Sequence, residues 1–235
     1  ASEVIGIKDG VDKIQASYLK DIIENKKYQH HVIASSVIDY YRKALQEGIN
    51  PVTGVLEVME VNNQPVENKE DKKSKQVRFS GAAVFKRDAL VGFFNEKETK
   101  GLNWVLGKVS SGVIALPSLL DQGKFTSIEI KDSTTKVTSE IKDGKVSFTI
   151  KVKSDVILVE ETIEEEISLA VNKAQKELNS DVFAFGRTLH REHPEEWNNI
   201  KDQWNEIFPK AEYRAEVEVK MIGTDLKQGV FQIEE

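Results

Sequence analysis

Apolar side chains recur at helical spacing over Ile14, Tyr18, Leu19, Ile22 and Ile23, and again over Val37, Tyr41, Ala44 and Leu45. Gly48 and Pro51 stop the second of these predicted helices. Val55–Val61 then reads as a strand, and residues 62–76 as a solvated loop between paired strands, because Val66 is the one aliphatic residue among them. Val77–Lys86 alternates, with Val77, Phe79, Ala83 and Phe85 on one face. Arg87-Asp88 is a turn, and Leu90–Phe94 returns as the hairpin partner. Asn95 and Glu98 stand at capping-box spacing, so a helix starts there. It should bury Leu102, Val105 and Leu106 and stop at Gly107.

Val113–Leu116 is a short apolar strand ending at Pro117, and a domain boundary is expected here. Lys124–Ile130 and Lys136–Ile141 read as strands. Asp143-Gly144 is a two-residue turn of the type that needs positive φ. Val146, Phe148, Ile150 and Val152 alternate with polar residues in the next strand. A long helix carries Ile163, Ile167, Val171, Ala174 and Leu178 on one stripe, and a second helix starts after Asp181. A third starts at Pro194 and stripes Trp197, Ile200, Trp204 and Phe208 until Pro209. Tyr213, Ala215, Val217, Val219 and Met221 end the pattern as an alternating strand. Such strands bury one face only, as antiparallel sheets commonly do. The predicted class is α+β in two mixed domains, residues 1–118 and 119–235. The second is expected to be a four-stranded antiparallel sheet, ordered β-β-β-α-α-α-β, with helices covering one face.

Composition narrows what such a chain does. At 235 residues with 39% apolar and 31% charged side chains it is an ordinary globular sequence. A net charge of −6 argues against nucleic acid and against a polybasic membrane patch. No apolar run approaches the roughly 20 residues that span a bilayer. Cysteine is absent, which removes disulfides, thiolate nucleophiles and Cys-ligated zinc.

The chemical motifs fail one by one. Gly101 to Gly107-Lys108 suggests a phosphate loop, but five residues separate the glycines instead of four and Val109 replaces the Ser or Thr. It also ends a helix, whereas phosphate is held at a helix start. His190 and His193 are spaced i+3, with Pro194 breaking the helix directly after, so they do not form a helical zinc pair. The acidic run Glu160–Glu166 lacks the alternation of a calcium loop and suits a helix start. No G-x-S-x-G elbow is present. No catalytic residue, cofactor or metal is therefore expected.

Four short segments are more specific. Val84–Gly92 has the form VFK-x-D-x-L-V-G, and Asn95–Lys108 the form N-x-x-E-T-x-G-x-x-W-x-x-GK. Ser180–Gly186 reads S-D-x-F-x-F-G, and His190–Trp197 reads H-R-x-x-P-x-x-W. These resemble the signature segments of the Ger(x)C family, the C subunits of nutrient receptors of endospore-forming bacteria, and the match runs loosely from Leu19 to Thr224. Near the C-terminus Met221–Asp225 departs from the family's usual R-x-T-G.

The resemblance implies a non-enzymatic receptor component acting beside integral-membrane A and B subunits. It implies lipid tethering to the outer face of the spore inner membrane, through an N-terminal signal and lipid-modified cysteine. The opening ASEVIG contains neither, so the sequence reads as a fragment that starts inside the protein. The runner-up is an extracytoplasmic ligand-binding module of another sensing or uptake system; a third reading is a metal-dependent hydrolase using His190 and His193. Candidate partner-binding residues are Glu98, Trp104, Arg187 and His190. Trp104 is included because it points about 200° from Leu102 on the helical wheel, away from the expected core face.

Overall fold

The computed structural model describes residues 32–62, 73–109, 112–117, 125–130, 132–155 and 160–220. The predicted helix around Ile14–Ile23 and the terminal segment around Met221 lie outside them. Helix α1 (Val37–Ala44) begins at Ser36, whose hydroxyl accepts the Asp39 N–H. Strands β1 (Val52–Asn62), β2 (Lys73–Lys86) and β3 (Ala89–Phe94) form an antiparallel sheet in that order. β1 and β2 reach further into the expected loop than the apolar pattern suggested, because their outer residues pair in register, Asn62 with Lys73.

Helix α2 (Glu96–Val105) carries the predicted capping box: the Asn95 side chain accepts from Glu98 N–H, and Glu98 accepts from Asn95 N–H. β4 (Gly112–Pro117) and β5 (Phe125–Ile130) pair antiparallel as a ribbon of their own. β6 (Ser133–Lys142) and β7 (Lys145–Asp155) form the predicted hairpin. Its turn residues Asp143 and Gly144 both have positive φ, 50° and 74°. Helix α3 (Glu160–Lys173) ends in a π-helical turn, Ala174–Leu178, followed by left-handed Asn179. Helices α4 (Phe185–Glu192), α5 (Pro194–Ile200) and α6 (Trp204–Ile207) lead to β8 (Glu212–Lys220).

The α+β class holds, and the four-stranded antiparallel sheet is corrected. The observed sheet is β6-β7-β8, and β8 runs parallel to β7. After β7 the chain crosses over through the helices and returns to the end where β7 began, and such a crossover gives parallel pairing. The alternation in Tyr213–Val219 reports one buried face and is blind to strand direction. The predicted strand at Lys124–Ile130 pairs with β4 instead of joining this sheet. That pairing spans the expected boundary at 118/119. Buried residues from both sides of it, Val52, Phe94 and Leu102 with Phe148, Ile167 and Trp204, belong to one core cluster. Among the described residues the two halves share a core. The single helix expected from Pro194 is also corrected. A 3-10 turn, Lys201–Gln203, separates α5 from α6, although Trp197, Trp204 and Phe208 are all buried as the stripe required.

β7 turns Val146, Phe148, Ile150 and Val152 to the core. Its other face is an ionic ladder with β8, in which Lys151 and Lys153 both reach Glu218, at 2.5 and 2.8 Å. Those bonds hold Glu218 down to about 2. The core is closed from above by α2 and α3, which cross at Gly101. A Cβ there would overlap the Glu166 carbonyl oxygen and press on Ala170 Cβ. Small residues at a crossing let helix backbones approach closely, so only glycine fits. Gly101→Ala should therefore lower stability by about 1–3 kcal/mol, as overpacking does. A urea midpoint unchanged from wild type would show that the helices separate without cost.

Candidate functional site

The signature segments converge in the fold, and most of their side chains are used up in holding it. Glu98 is 8% exposed. Besides closing the capping box it accepts a hydrogen bond from Lys173 Nζ of α3 at 2.9 Å. Thr99 donates to the Asn95 carbonyl at 2.7 Å. Trp104, placed on the outer side of α2 by its wheel position, is only 1% exposed. Its Nε1 donates to Glu166 of α3 at 3.0 Å, and its carbonyl accepts from Thr135 of β6. The wheel argument assumed one buried face, yet α2 packs on sheet and helix at once and is covered nearly all round. Glu98 and Trp104 are thus corrected from partner-facing residues to internal ones. Burial pushes the Glu166 carboxyl up, against the pull of Lys100 and of the Trp104 indole.

Ser180–Gly186 forms a joint. Ser180 Oγ donates to the Phe85 carbonyl of β2 at 2.6 Å, and the Asp181 carbonyl accepts from Asn50 N–H at 2.7 Å. The Asp181 carboxylate collects N–H donors from Phe183, Phe185 and Gly186 at 3.2, 3.1 and 2.8 Å, and from Trp204 Nε1 at 3.2 Å. Gly186 then lies against Gly48. A Cβ on Gly186 would come within 2.5 Å of Gly48 Cα and 2.8 Å of Trp197, and Arg187 N–H donates to the Gly48 carbonyl. Desolvation pushes Asp181 up to about 6, while its four donors pull the other way. Sequence reasoning read Asp181 as a helix start but missed this role. The available signal was an Asp followed closely by small and aromatic residues, since Asp side chains bind backbone N–H groups a few residues on.

His190 and His193 separate. The His190 ring stacks on Trp197 with centroids 5.9 Å apart, and His193 Nε2 lies 3.2 Å from the Ser139 carbonyl of β6. Glu192 accepts from both N–H and Oγ of Ser139, at 2.7 Å each, so the end of α4 is pinned to β6. Among the described residues no three His, Asp or Glu side chains converge as a metal site. Arg187 and His190 are exposed on the outer face of α4. Arg191 is also exposed there, and Lys43 of α1 is close enough to Arg187 for the guanidinium to add to the burial that lowers its pKa. Beside this face a cleft of ≈ 460 Å³ opens between residues 44–50, Arg87 and the Trp197–Asn205 stretch. No described helix is long and apolar enough to cross a membrane.

With this geometry in hand, comparison with known proteins is decisive. The family described as "Spore germination B3/ GerAC like, C-terminal" matches residues 80–162 and 158–225. The chain belongs to this family. Spore germination protein B3 of Bacillus subtilis (strain 168) is 30% identical over 183 residues, 68% of this chain and 47% of that protein. Spore germination protein YndF of the same organism is 27% identical over 172 residues, 63% of this chain and 43% of that protein. The chain thus spans about half the length of the curated relatives it matches. The crystal structure of the GerBC protein superposes with a TM-score of 0.56 at 28% identity, covering 72% of this chain and 57% of that one.

Two outcomes test this account. Trp104→Ala should cost about 3–5 kcal/mol, the range for a buried aromatic; a loss below 1 kcal/mol in a denaturant titration would return Trp104 to the surface. The second concerns pH. The folded Asp181 carboxyl keeps its proton to about 6, above its ordinary 3.8, so its contribution is full below pH 4 and is lost as pH rises through 6. The loss is on the order of 3 kcal/mol for such a shift. Asp181→Asn should remove that part of the stability slope, and an unaltered slope would assign it to another group.

Proposed function

We propose that the chain is the C-subunit portion of a spore nutrient germinant receptor and works by binding, not by catalysis. Family membership over residues 80–225 supports a role in spore germination. The observation that carries the non-enzymatic reading is the use of the signature side chains. Glu98, Trp104, Ser180 and Asp181 all have internal partners, and none of them faces an open reaction site. A protein that spends its distinctive polar groups on its own joints presents a shaped surface to others.

In the intact protein, the partners on this reading are integral-membrane A and B subunits, and an N-terminal lipid anchor holds the domain on the outer face of the spore inner membrane. Arg187 and His190 offer the contact surface, as exposed basic and aromatic groups on a helix whose other side is locked to β6 through Glu192. Arg is enriched at interface hot spots, and its planar guanidinium pairs with partner carboxylates. Arg187→Glu with His190→Ala in the full-length protein should leave its level and membrane attachment intact and slow nutrient-triggered germination. A normal germination rate would move the contact to another face. If removing the whole protein altered germination by no nutrient, the receptor reading itself would fail.

The cleft beside α5 supports a second reading, direct capture of a small ligand. Its volume lies in the usual ligand range, and Trp197, which lines it, carries an indole N–H without a hydrogen-bond partner. A nutrient that raises the melting temperature of the isolated chain would favour this reading.

A further inference from the structure

Helix α1 is attached by the wrong side for its sequence. Taking 100° per residue, Val37, Tyr41, Leu45 and Ile38 fall within an arc of about 100°. They are 72%, 61%, 85% and 70% exposed. The half-buried Tyr40 and Ala44 lie to one side of that arc and face the body, with the Tyr40 ring edge-on to Phe85 at 5.1 Å. Arg42 and Asp39 lie on the other side, paired with each other at 3.5 Å. The helix therefore has a body face, a charged face and, between them, an apolar stripe that nothing described covers. Four large apolar side chains on two turns of helix form a patch of the kind that marks an interaction site.

We infer that the stripe is the docking site for the amphipathic segment Ile14–Ile23 of the same chain. Three observations point to that occupant. The segment repeats the pattern of α1, with Ile14, Tyr18 and Ile22 on one line and Lys13 and Lys20 opposite. Its tether is short and ends at a fixed point. Val32 and Ile33 are buried in the body, and Val32's carbonyl accepts from Asn103 Nδ2 at 3.2 Å. Ile23 therefore stands nine residues from an anchored point, within about 30 Å even fully extended, and α1 starts five residues beyond that anchor. The third argument is area. A stable dimer needs about 800 Å² per partner, and one face of a two-turn helix, about 12 Å long, falls well short of that. A tethered segment needs far less, because its effective concentration is set by the linker and no free partner is immobilised. An isolated helix of this length is marginal in water, and packing on α1 would supply what it lacks.

The absence of cysteine makes the test direct, since introduced thiols have no competitors. Tyr41→Cys is combined in turn with Ile14→Cys, Tyr18→Cys and Ile22→Cys in the full chain, with Lys13→Cys and Lys20→Cys as opposite-face controls. Tyr41 is exposed, so the substitutions leave the core intact, and circular dichroism checks this. Under mild oxidation at least one apolar-face pair should close within one molecule about tenfold faster than both controls, because disulfides demand close Cβ approach. Equal rates for both faces, or no closure, overturn the proposal. Disulfide-linked dimers that grow with concentration overturn it in favour of a second copy. Wild-type binding to anionic vesicles that Leu45→Glu abolishes would assign the stripe to a bilayer surface instead.

Discussion

One buried carboxylate ties the structure together. Asp181 is 2% exposed and receives four N–H groups, three from the loop that opens α4 and one from the Trp204 indole. Leaving a buried donor unpaired costs about 1–3 kcal/mol, so replacing this side chain with an apolar one would strand several such groups at once. The same residue's carbonyl accepts from Asn50 N–H, just before β1, and its neighbour Ser180 donates to β2. The loop 180–186 is therefore read by both halves of the chain. Its geometry fixes Gly186 against Gly48 and aligns Phe185 for stacking on Phe148 at 4.4 Å. Packing of the aromatic cluster Phe148, Phe185, Trp197 and Trp204 follows from that placement.

A second constraint acts where α2 and α3 cross. Gly101 admits the α3 backbone, which brings Trp104 beside Glu166 and Lys173 beside Glu98. Both carboxylates are buried, and each keeps a cation or an N–H donor within reach; Lys100 lies 3.9 Å from Glu166. Unpaired buried charge is costly, whereas a paired one specifies register, because sliding either helix by one turn would separate both pairs. The two constraints leave the sheet β1-β2-β3 and the sheet β6-β7-β8 on one core, with helices as the shared layer.

Local rules made much of this legible in advance. The capping box at Asn95, the Asp143-Gly144 turn, the stripe on α3 and the alternation of β7 each depend on residues within a few positions of one another, and each was found as expected. What failed needed long-range knowledge. The direction of β8 is set by the long crossover between Asp155 and Glu212, and alternation carries no arrow. The partner of Phe125–Ile130 was chosen by β4, not by the strands that follow it. Trp104 failed for a related reason: a helical wheel presumes one covered face, and α2 has two. Of the four candidate partner-binding residues, Arg187 and His190 stand on the surface, and Glu98 and Trp104 are buried.

The position of the signature residues bears on what helix α4 can display. Recognition needs a few exposed groups held at fixed spacing, and rigid elements hold them better than loops. Here α4 is held at its start by Asp181, along its buried side by Phe185 and Leu189, and at its end by Glu192 on Ser139. Only its outer face, with Arg187 and His190, is free of such ties, and His190 is itself steadied by the Trp197 ring. The signature segment therefore acts on the exposed face at one remove. It builds the platform, and the exposed side chains that the platform displays can be exchanged without disturbing the core beneath them.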